Sequence, residues 1–210
     1  MRGRFITFEG IDGCGKTTQA ERLIRRLRSQ GYTVVFTREP GGTEIAEQIR
    51  ALVLDAQCTE MTDLTELLLY MASRAQHTKE LIQPSIEAGH IVVSDRYADA
   101  TVAYQGYGRG LDLDIITTLN RIATGGVWPD LTVLLDIPPL EAARRRRKMN
   151  EVPDRLEREE RAFHTRVRAG YLTLAEQDPN RFLVLDGTAS IPCLERHIDR
   201  AVLKLLEHNI

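Results

Sequence analysis

Gly10-Ile11-Asp12-Gly13-Cys14-Gly15-Lys16-Thr17 is the stretch that decides the fold. Ahead of it, Phe5-Ile6-Thr7-Phe8 has the apolar character of a buried strand, and behind it Ala20, Leu23, Ile24 and Leu27 recur with helical spacing. Strand, glycine-rich turn and helix in that order make a phosphate-binding loop. The glycines let the backbone wrap a phosphate with its N–H groups pointing inward, and the helix N-terminus adds partial positive charge. Lys16 is spaced to reach the β- and γ-phosphates, and Thr17 to offer a hydroxyl to Mg2+. Residues 10–17 together with Thr18 therefore form the expected binding site for a nucleoside triphosphate.

Working outward, short apolar segments rich in Val, Ile and Leu predict strands at 4–9, 33–37, 91–94, 131–136 and 181–185. Helical patterns separate them, at 16–30, 43–54, 63–88, 113–124, 139–148, 156–176 and 191–207. This alternation predicts an α/β fold with a mostly parallel sheet covered on both faces. In such sheets ligands bind beyond the carboxyl ends of the strands. The 210 residues carry no repeat or linker, and a single domain over 1–210 is the expectation.

The composition narrows the partners. The chain is 42% hydrophobic and 28% charged, and its formal net charge of −2 offers no electrostatic footprint for nucleic acid. Charges interrupt every apolar run, so no membrane span is expected. The first strand begins almost at once, leaving no room for a leader ahead of it. Cys14, Cys58 and Cys193 have no metal-ligand spacing, and the five histidines are scattered. These features predict reduced thiols in a cytoplasmic protein.

Polar groups collect after the strands. Glu9 ends the first, and Arg38-Glu39-Pro40-Gly41-Gly42-Thr43 follows the second. A plain turn with solvated charges is one reading of that segment; an arginine and a carboxylate aimed at a ligand is the other. After the third strand comes Asp95-Arg96-Tyr97, where an Asp closing an apolar strand can serve Mg2+ and Arg96 can hold a phosphate bidentately. Asp136, closing the fourth strand, is a rival for the metal or else a strand terminator. The run Arg144-Arg145-Arg146-Arg147-Lys148, continued by Asp154-Arg155-Leu156-Glu157-Arg158, is either a solvated charged helix or a mobile lid over 144–158 that closes arginines on a transferring phosphoryl group.

Taken together, these residues resemble the thymidylate kinase family. The resemblance rests on Phe8-Glu9-Gly10-Ile11-Asp12-Gly13-x-Gly15-Lys16-Thr17-Thr18, Thr37-Arg38-Glu39-Pro40-Gly41-Gly42-Thr43, Ser73-Arg74-Ala75-Gln76, Ser94-Asp95-Arg96-Tyr97, Ala103-Tyr104-Gln105-Gly106 and Asp154-Arg155-x-Glu157, in that order along nearly the whole chain. It implies a P-loop NTPase fold with a five-stranded parallel sheet, ATP with Mg2+, dTMP as acceptor, and a homodimer. By position, Lys16, Arg96 and lid arginines would be catalytic, with Thr17 and Asp95 on the metal. For the acceptor, Tyr70 matches the ring that stacks on thymine, and Arg74 the donor to the base O4. Thr101 matches a polar residue at the N3–O4 edge, Tyr104 the ring beneath the sugar, and Asp12 the acceptor for the 3′-hydroxyl. Arg96, Arg38 and Arg50 match the 5′-phosphate clamp; Glu39 and Gln105 complete the acceptor site. Tyr70 stands where many members have Phe, so its hydroxyl needs a partner. Tyr70 as plain core and Thr101 as a helix-surface residue are the competing structural readings.

Some members of that family carry arginine in the phosphate loop; this chain has Gly13 there and a basic lid, so it resembles the type that supplies arginine from the lid. The segment 149–153 departs from the shorter lid of many relatives, and Arg147 and Arg155 are the expected catalytic arginines. The reaction implied is ATP + dTMP giving ADP + dTDP. A deoxynucleoside kinase using Glu9 as base, or a kinase for another nucleoside monophosphate, is the nearest alternative. A GTPase or motor is disfavoured by the absence of Asn-Lys-x-Asp.

Overall fold

A computed structural model describes residues 2–149 and 154–207. The strands β1 (Arg4–Glu9), β2 (Val34–Arg38), β3 (Ile91–Asp95), β4 (Leu131–Asp136) and β5 (Phe182–Asp186) form one parallel sheet in the order β2-β3-β1-β4-β5. Phe8 pairs with Asp95 on one side of β1 and with Val133 on the other, so the ends of β1 and β3 meet at one edge. The order reverses beside β1, which opens a crevice at that edge.

Burial explains the strand composition. β1 is buried from its second residue to its last, and β4 up to its last, so both faces of the sheet are covered. The outer strands are more open: β2 buries Val34 and Thr37, and β5 buries Phe182. The covering helices are α1 (Lys16–Ser29), α2 (Glu44–Leu54), α3 (Asp63–His77), α4 (Gln83–Glu87), α5 (Ala98–Thr101), α6 (Leu113–Thr124), α7 (Pro139–Met149), α8 (Arg161–Gln177) and α9 (Ile191–Glu207). The core joins Ile6, Phe8, Leu23, Leu27, Val133 and Leu135 to Val167, Tyr171, Ile198 and Val202.

Three elements differ from the sequence expectation. The helix expected over 63–88 is interrupted by a π-turn at Thr78–Ile82 between α3 and α4. Pro84 lies just beyond it; proline has no N–H to donate, and its ring crowds the carbonyl four residues back. A helical segment, α5 continued by a π-helix over Val102–Gly108, occupies a stretch where no helix was expected. Its composition is poor for a helix, but Gly108 lies so close to α8 that an added Cβ would meet Phe163 at 2.7 Å. The last long helix before β5 begins at Arg161 rather than 156. Residues 154–157 form a turn closed by Glu157 N–H to Asp154 Oδ1 (2.8 Å) and Asp154 N–H to Glu157 Oε2 (3.2 Å).

Candidate active site

The phosphate loop joins β1 to α1. Gly10, Gly13 and Gly15 hold φ of 133°, 86° and 100°, in the region that favours glycine. Lys16 is buried and folds back over the loop, donating to Gly10 O (3.1 Å) and Ile11 O (3.3 Å). Cys14 and Ile11 are buried beneath the loop, and Cys14 keeps its thiol pKa raised by that burial. The Thr17 hydroxyl donates to Asp95 Oδ2 (2.6 Å), which brings together the two expected metal residues. The rival, Asp136, is gripped by Arg168 at 2.6 and 2.8 Å and does not line the cleft.

At the end of β3, Arg96 takes a left-handed backbone (φ 72°), unusual for a residue with a side chain. Its four Nη–H bonds all have protein acceptors. Nη1 donates to Gly10 O (3.1 Å) and Tyr171 Oη (3.0 Å), and Nη2 to Asp12 Oδ1 and Tyr104 Oη (2.9 Å). Tyr104 also lies under the guanidinium, 4.8 Å from ring centre to carbon, and donates to Asp12 Oδ2 (2.9 Å). Burial raises the Asp12 pKa, but Arg96, Lys16 and the Tyr104 hydroxyl outweigh it and hold the carboxyl far below its usual range. Glu9 lies behind this group, fully buried, accepting from Tyr97 N–H (2.7 Å) and Tyr171 O–H (2.7 Å). It does not line the cleft, so it is not placed as a base for a substrate hydroxyl.

Arg74 is 1% exposed, and every N–H it has is engaged. Nε meets Glu39 Oε2 (2.8 Å), Nη1 meets Thr101 Oγ1 (2.9 Å) and Asn120 Oδ1 (2.8 Å), and Nη2 meets Tyr97 O (3.0 Å) and Glu39. Glu39 is held in turn by His77 Nδ1 (2.9 Å), whose Nε2 pairs with Thr37 Oγ1 (2.6 Å). Arg74 therefore reaches a ligand only by exchanging a bond. Of the two acceptors on Nη1, Thr101 lines the cleft and Asn120 does not, so Thr101 is the one of that pair positioned for the exchange. Thr101 is buried, not a helix-surface residue. Tyr70 is 9% exposed, lines the same cleft, and its hydroxyl has no hydrogen-bond partner among the described residues. Arg38 is exposed and paired to Glu47 (3.0 Å), Arg50 donates to Pro40 O (2.7 Å), and Gln105 donates to buried Glu66 (2.7 Å).

The basic segment divides. Arg145 and Arg146 line the cleft, whereas Arg147 is exposed outside it. Arg155 is turned away onto Glu66 and also donates to Val53 O (3.2 Å). Arg146 has Glu157 at 3.8 Å and leaves its Nε without a partner. An added Cβ on Gly13 would lie 2.7 Å from Ala142 O and 3.0 Å from Arg146 Cγ, so the missing side chain is what lets α7 bring Arg146 to the loop. Residues 150–153 of the expected lid lie outside the described residues.

These groups share one cleft of about 1040 Å³, more than one drug-sized ligand occupies. Its far end, beyond the phosphate loop, is lined by Arg145, Gly187, Ala189, Ser190 and Ile191. Arg145 donates to Gly187 O (2.9 Å). The residue pattern does not mark this end, although Gly187 follows directly on β5, at the edge where ligands are expected. Nor does it mark His77, Asn120, Glu66 or Tyr171. These lie inside helices, where spacing alone cannot distinguish a buried polar network from a core position.

Comparison with known proteins agrees with this geometry. The thymidylate kinase family profile matches residues 8–198. A thymidylate kinase of Geotalea uraniireducens is 51% identical over 97% of this chain and 98% of its own. One from Caldanaerobacter subterraneus is 45% identical over 99% of this chain and 98% of its own. Among solved structures, thymidylate kinase from Ehrlichia chaffeensis superposes with a TM-score of 0.78 at 35% identity, covering 97% of this chain and 99% of that one. With the phosphate loop, the parallel sheet and the single cleft in place, the chain belongs to the thymidylate kinase family, the ATP-dependent kinases that phosphorylate dTMP to dTDP.

Proposed function

We propose that this cleft transfers the γ-phosphoryl group of ATP to dTMP, the two nucleotides entering from opposite ends and meeting between Lys16 and Arg96. The observation that carries this reading is continuity: the phosphate loop and the pocket of Arg38, Tyr70, Arg74 and Arg96 line a single cavity. The triphosphate lies along 10–18, with its base toward Arg145, Gly187 and Ile191. The acceptor lies with its phosphate at Arg96, Arg38 and Arg50, its sugar by Asp12 and Tyr104, and its base between Tyr70 and the Arg74–Thr101 pair. Glu39 holds Arg74, and Gln105 fixes Glu66 beside that pocket.

Thr17 and Asp95 form an all-oxygen donor pair, which suits Mg2+. No group of three or more His, Cys, Asp or Glu that could hold a metal occurs among the described residues, as befits an ion carried largely by substrate phosphates and water. When bound there, Mg2+ neutralises charge on the β- and γ-phosphates.

The chain's own residues do the rest. A phosphate oxygen of dTMP is the nucleophile and is already deprotonated near neutral pH, so no general base is required. A bond forms from that oxygen to the γ-phosphorus as the bond to the bridging oxygen of ADP breaks. Catalysis is positioning and charge neutralisation of two polyanions. Lys16 exchanges its loop carbonyls for phosphate oxygens, Arg96 meets the acceptor phosphate, and Arg146 supplies the charge that Gly13 lacks. Arg147 and Arg155 take supporting roles, the latter by docking the lid on Glu66.

We further place the enzyme in the cytoplasm as a homodimer. No described helix is long and apolar enough to cross a membrane. The acceptor assignment is tested by Arg74→Ala: KM for dTMP should rise by ~10-fold or more while KM for ATP moves little. Equal changes in both would return Arg74 to a structural role.

A further inference from the structure

We infer that Tyr171, on α8, is a positioning residue for phosphoryl transfer: backed by Glu9, it holds the Arg96 guanidinium where the acceptor phosphate meets it. The inference rests on the reading of Arg96 as the phosphate-binding arginine.

Arginine is flexible, and ordering its side chain costs rotamer entropy. A site that depends on one therefore gains from fixing it before the ligand arrives. Arg96 is fixed by four acceptors, and they are not equivalent. Asp12 and Tyr104 line the cleft, so an incoming nucleotide can reach and displace them. Gly10 O belongs to the phosphate loop, whose conformation serves the other substrate. Tyr171 Oη is different: the residue is 1% exposed and does not line the cleft, so its bond to Nη1 (3.0 Å) persists when the pocket fills.

The direction of that bond depends on Glu9. A phenol has one proton and two lone pairs. With its proton given to a lone pair of Glu9 Oε2 (2.7 Å), which a carboxyl oxygen offers whether or not the group holds a proton, Tyr171 turns its lone pairs to Arg96 and can only accept from it. Glu9 is itself fixed by Tyr97 N–H (2.7 Å), the backbone step after Arg96, so the chain closes on the left-handed turn that carries the guanidinium. Neither Glu9 nor Tyr171 touches the cleft; both act through Arg96.

A double-mutant cycle on dTMP binding, measured calorimetrically on the full chain, tests this. Tyr171→Phe should weaken dTMP ~10-fold and leave ADP affinity within ~2-fold. Arg96→Ala should weaken dTMP further, and adding Tyr171→Phe to Arg96→Ala should cost nothing more, because phenylalanine keeps the ring packed on Tyr104 and only the hydroxyl that holds Arg96 is lost. An additive loss in the Arg96→Ala background, or an unchanged Kd in Tyr171→Phe alone, overturns the positioning role while leaving Arg96 as the phosphate group. An unchanged Kd in Arg96→Ala overturns the assignment of Arg96 and the inference with it. Should Tyr171→Phe not fold, Glu9→Gln takes its place in the same cycle. It keeps the packing but puts an amide against the hydroxyl, and the same non-additivity with Arg96→Ala is expected.

Discussion

Arg146 and Arg155 show how little a run of like residues says about individual roles. Both lie in the basic segment, yet one lines the cleft beside Gly13 and the other is tied to Glu66 and the α2 carbonyls. Arg146→Ala should lower kcat by up to ~10³-fold with little change in ADP affinity, as removal of a transition-state arginine does. Arg147→Ala should stay within ~3-fold of the parent. Single-turnover kinetics would separate the two, and full activity in Arg146→Ala would move the charge to another arginine. Glu9 carries a different signature. Burial, with Asp99 adding to it, pushes its pKa from 4.5 to about 8, against the opposing pull of Arg96, Tyr171 and the Tyr97 N–H. Between those values the folded chain holds a proton that the unfolded chain has released. Stability from this group therefore falls as pH rises from about 4.5 to about 8. Thermal melts of Glu9→Gln should lack that part of the decline, so the Tm of the parent relative to the variant should drop across pH 5–8. A difference independent of pH would mean that Glu9 is ionised throughout.

At the scale of elements, legibility followed the strength of the local pattern. β1, β4, α6 and α9 end where the sequence places them, because each is a clean periodic run bounded by turn chemistry. The segment 98–108 was invisible as a helix because two glycines and a tyrosine-rich composition argue against one. Only the close approach of α6 and α8 stabilises it, and that is a tertiary effect. The site divides the same way. The phosphate loop is local and was read in full, whereas Tyr171 reaches Glu9 across 162 positions, a distance over which spacing carries no signal. Among the described residues, several exposed apolar side chains recur on neighbouring helices. Leu64 and Leu68 of α3, Ile115 and Ile122 of α6 and Leu52 of α2 are all exposed, on helices that pack on one another. Such an apolar face fits the proposed homodimer. Leu68→Glu combined with Ile115→Glu should give a monomer by sedimentation, and an unchanged sedimentation coefficient would place the interface elsewhere.

The whole molecule is an enclosure for two anions. Its net charge is only −2, yet Lys16, Arg38, Arg50, Arg74, Arg96, Arg145 and Arg146 gather on one cleft, poised there by carboxylates such as Asp12, Glu39 and Glu157 that line it too. The sheet order places the ends of β1 and β3 side by side, so that Asp12, Asp95 and Arg96 face the same space. In the proposed reading, base selection rests on a buried network running from Thr37 through His77, Glu39 and Arg74 to Asn120, which holds Arg74 so that only a base able to replace its bond to Thr101 is favoured. The most direct test of this account is ADP release measured across a panel of nucleoside monophosphates and thymidine, with ATP and Mg2+. We expect dTMP to give the highest kcat/KM, purine monophosphates to be poor acceptors, and thymidine to be inactive because it lacks the phosphate that Arg96 meets. Turnover of thymidine above dTMP, or ADP release that does not depend on any acceptor, would contradict it.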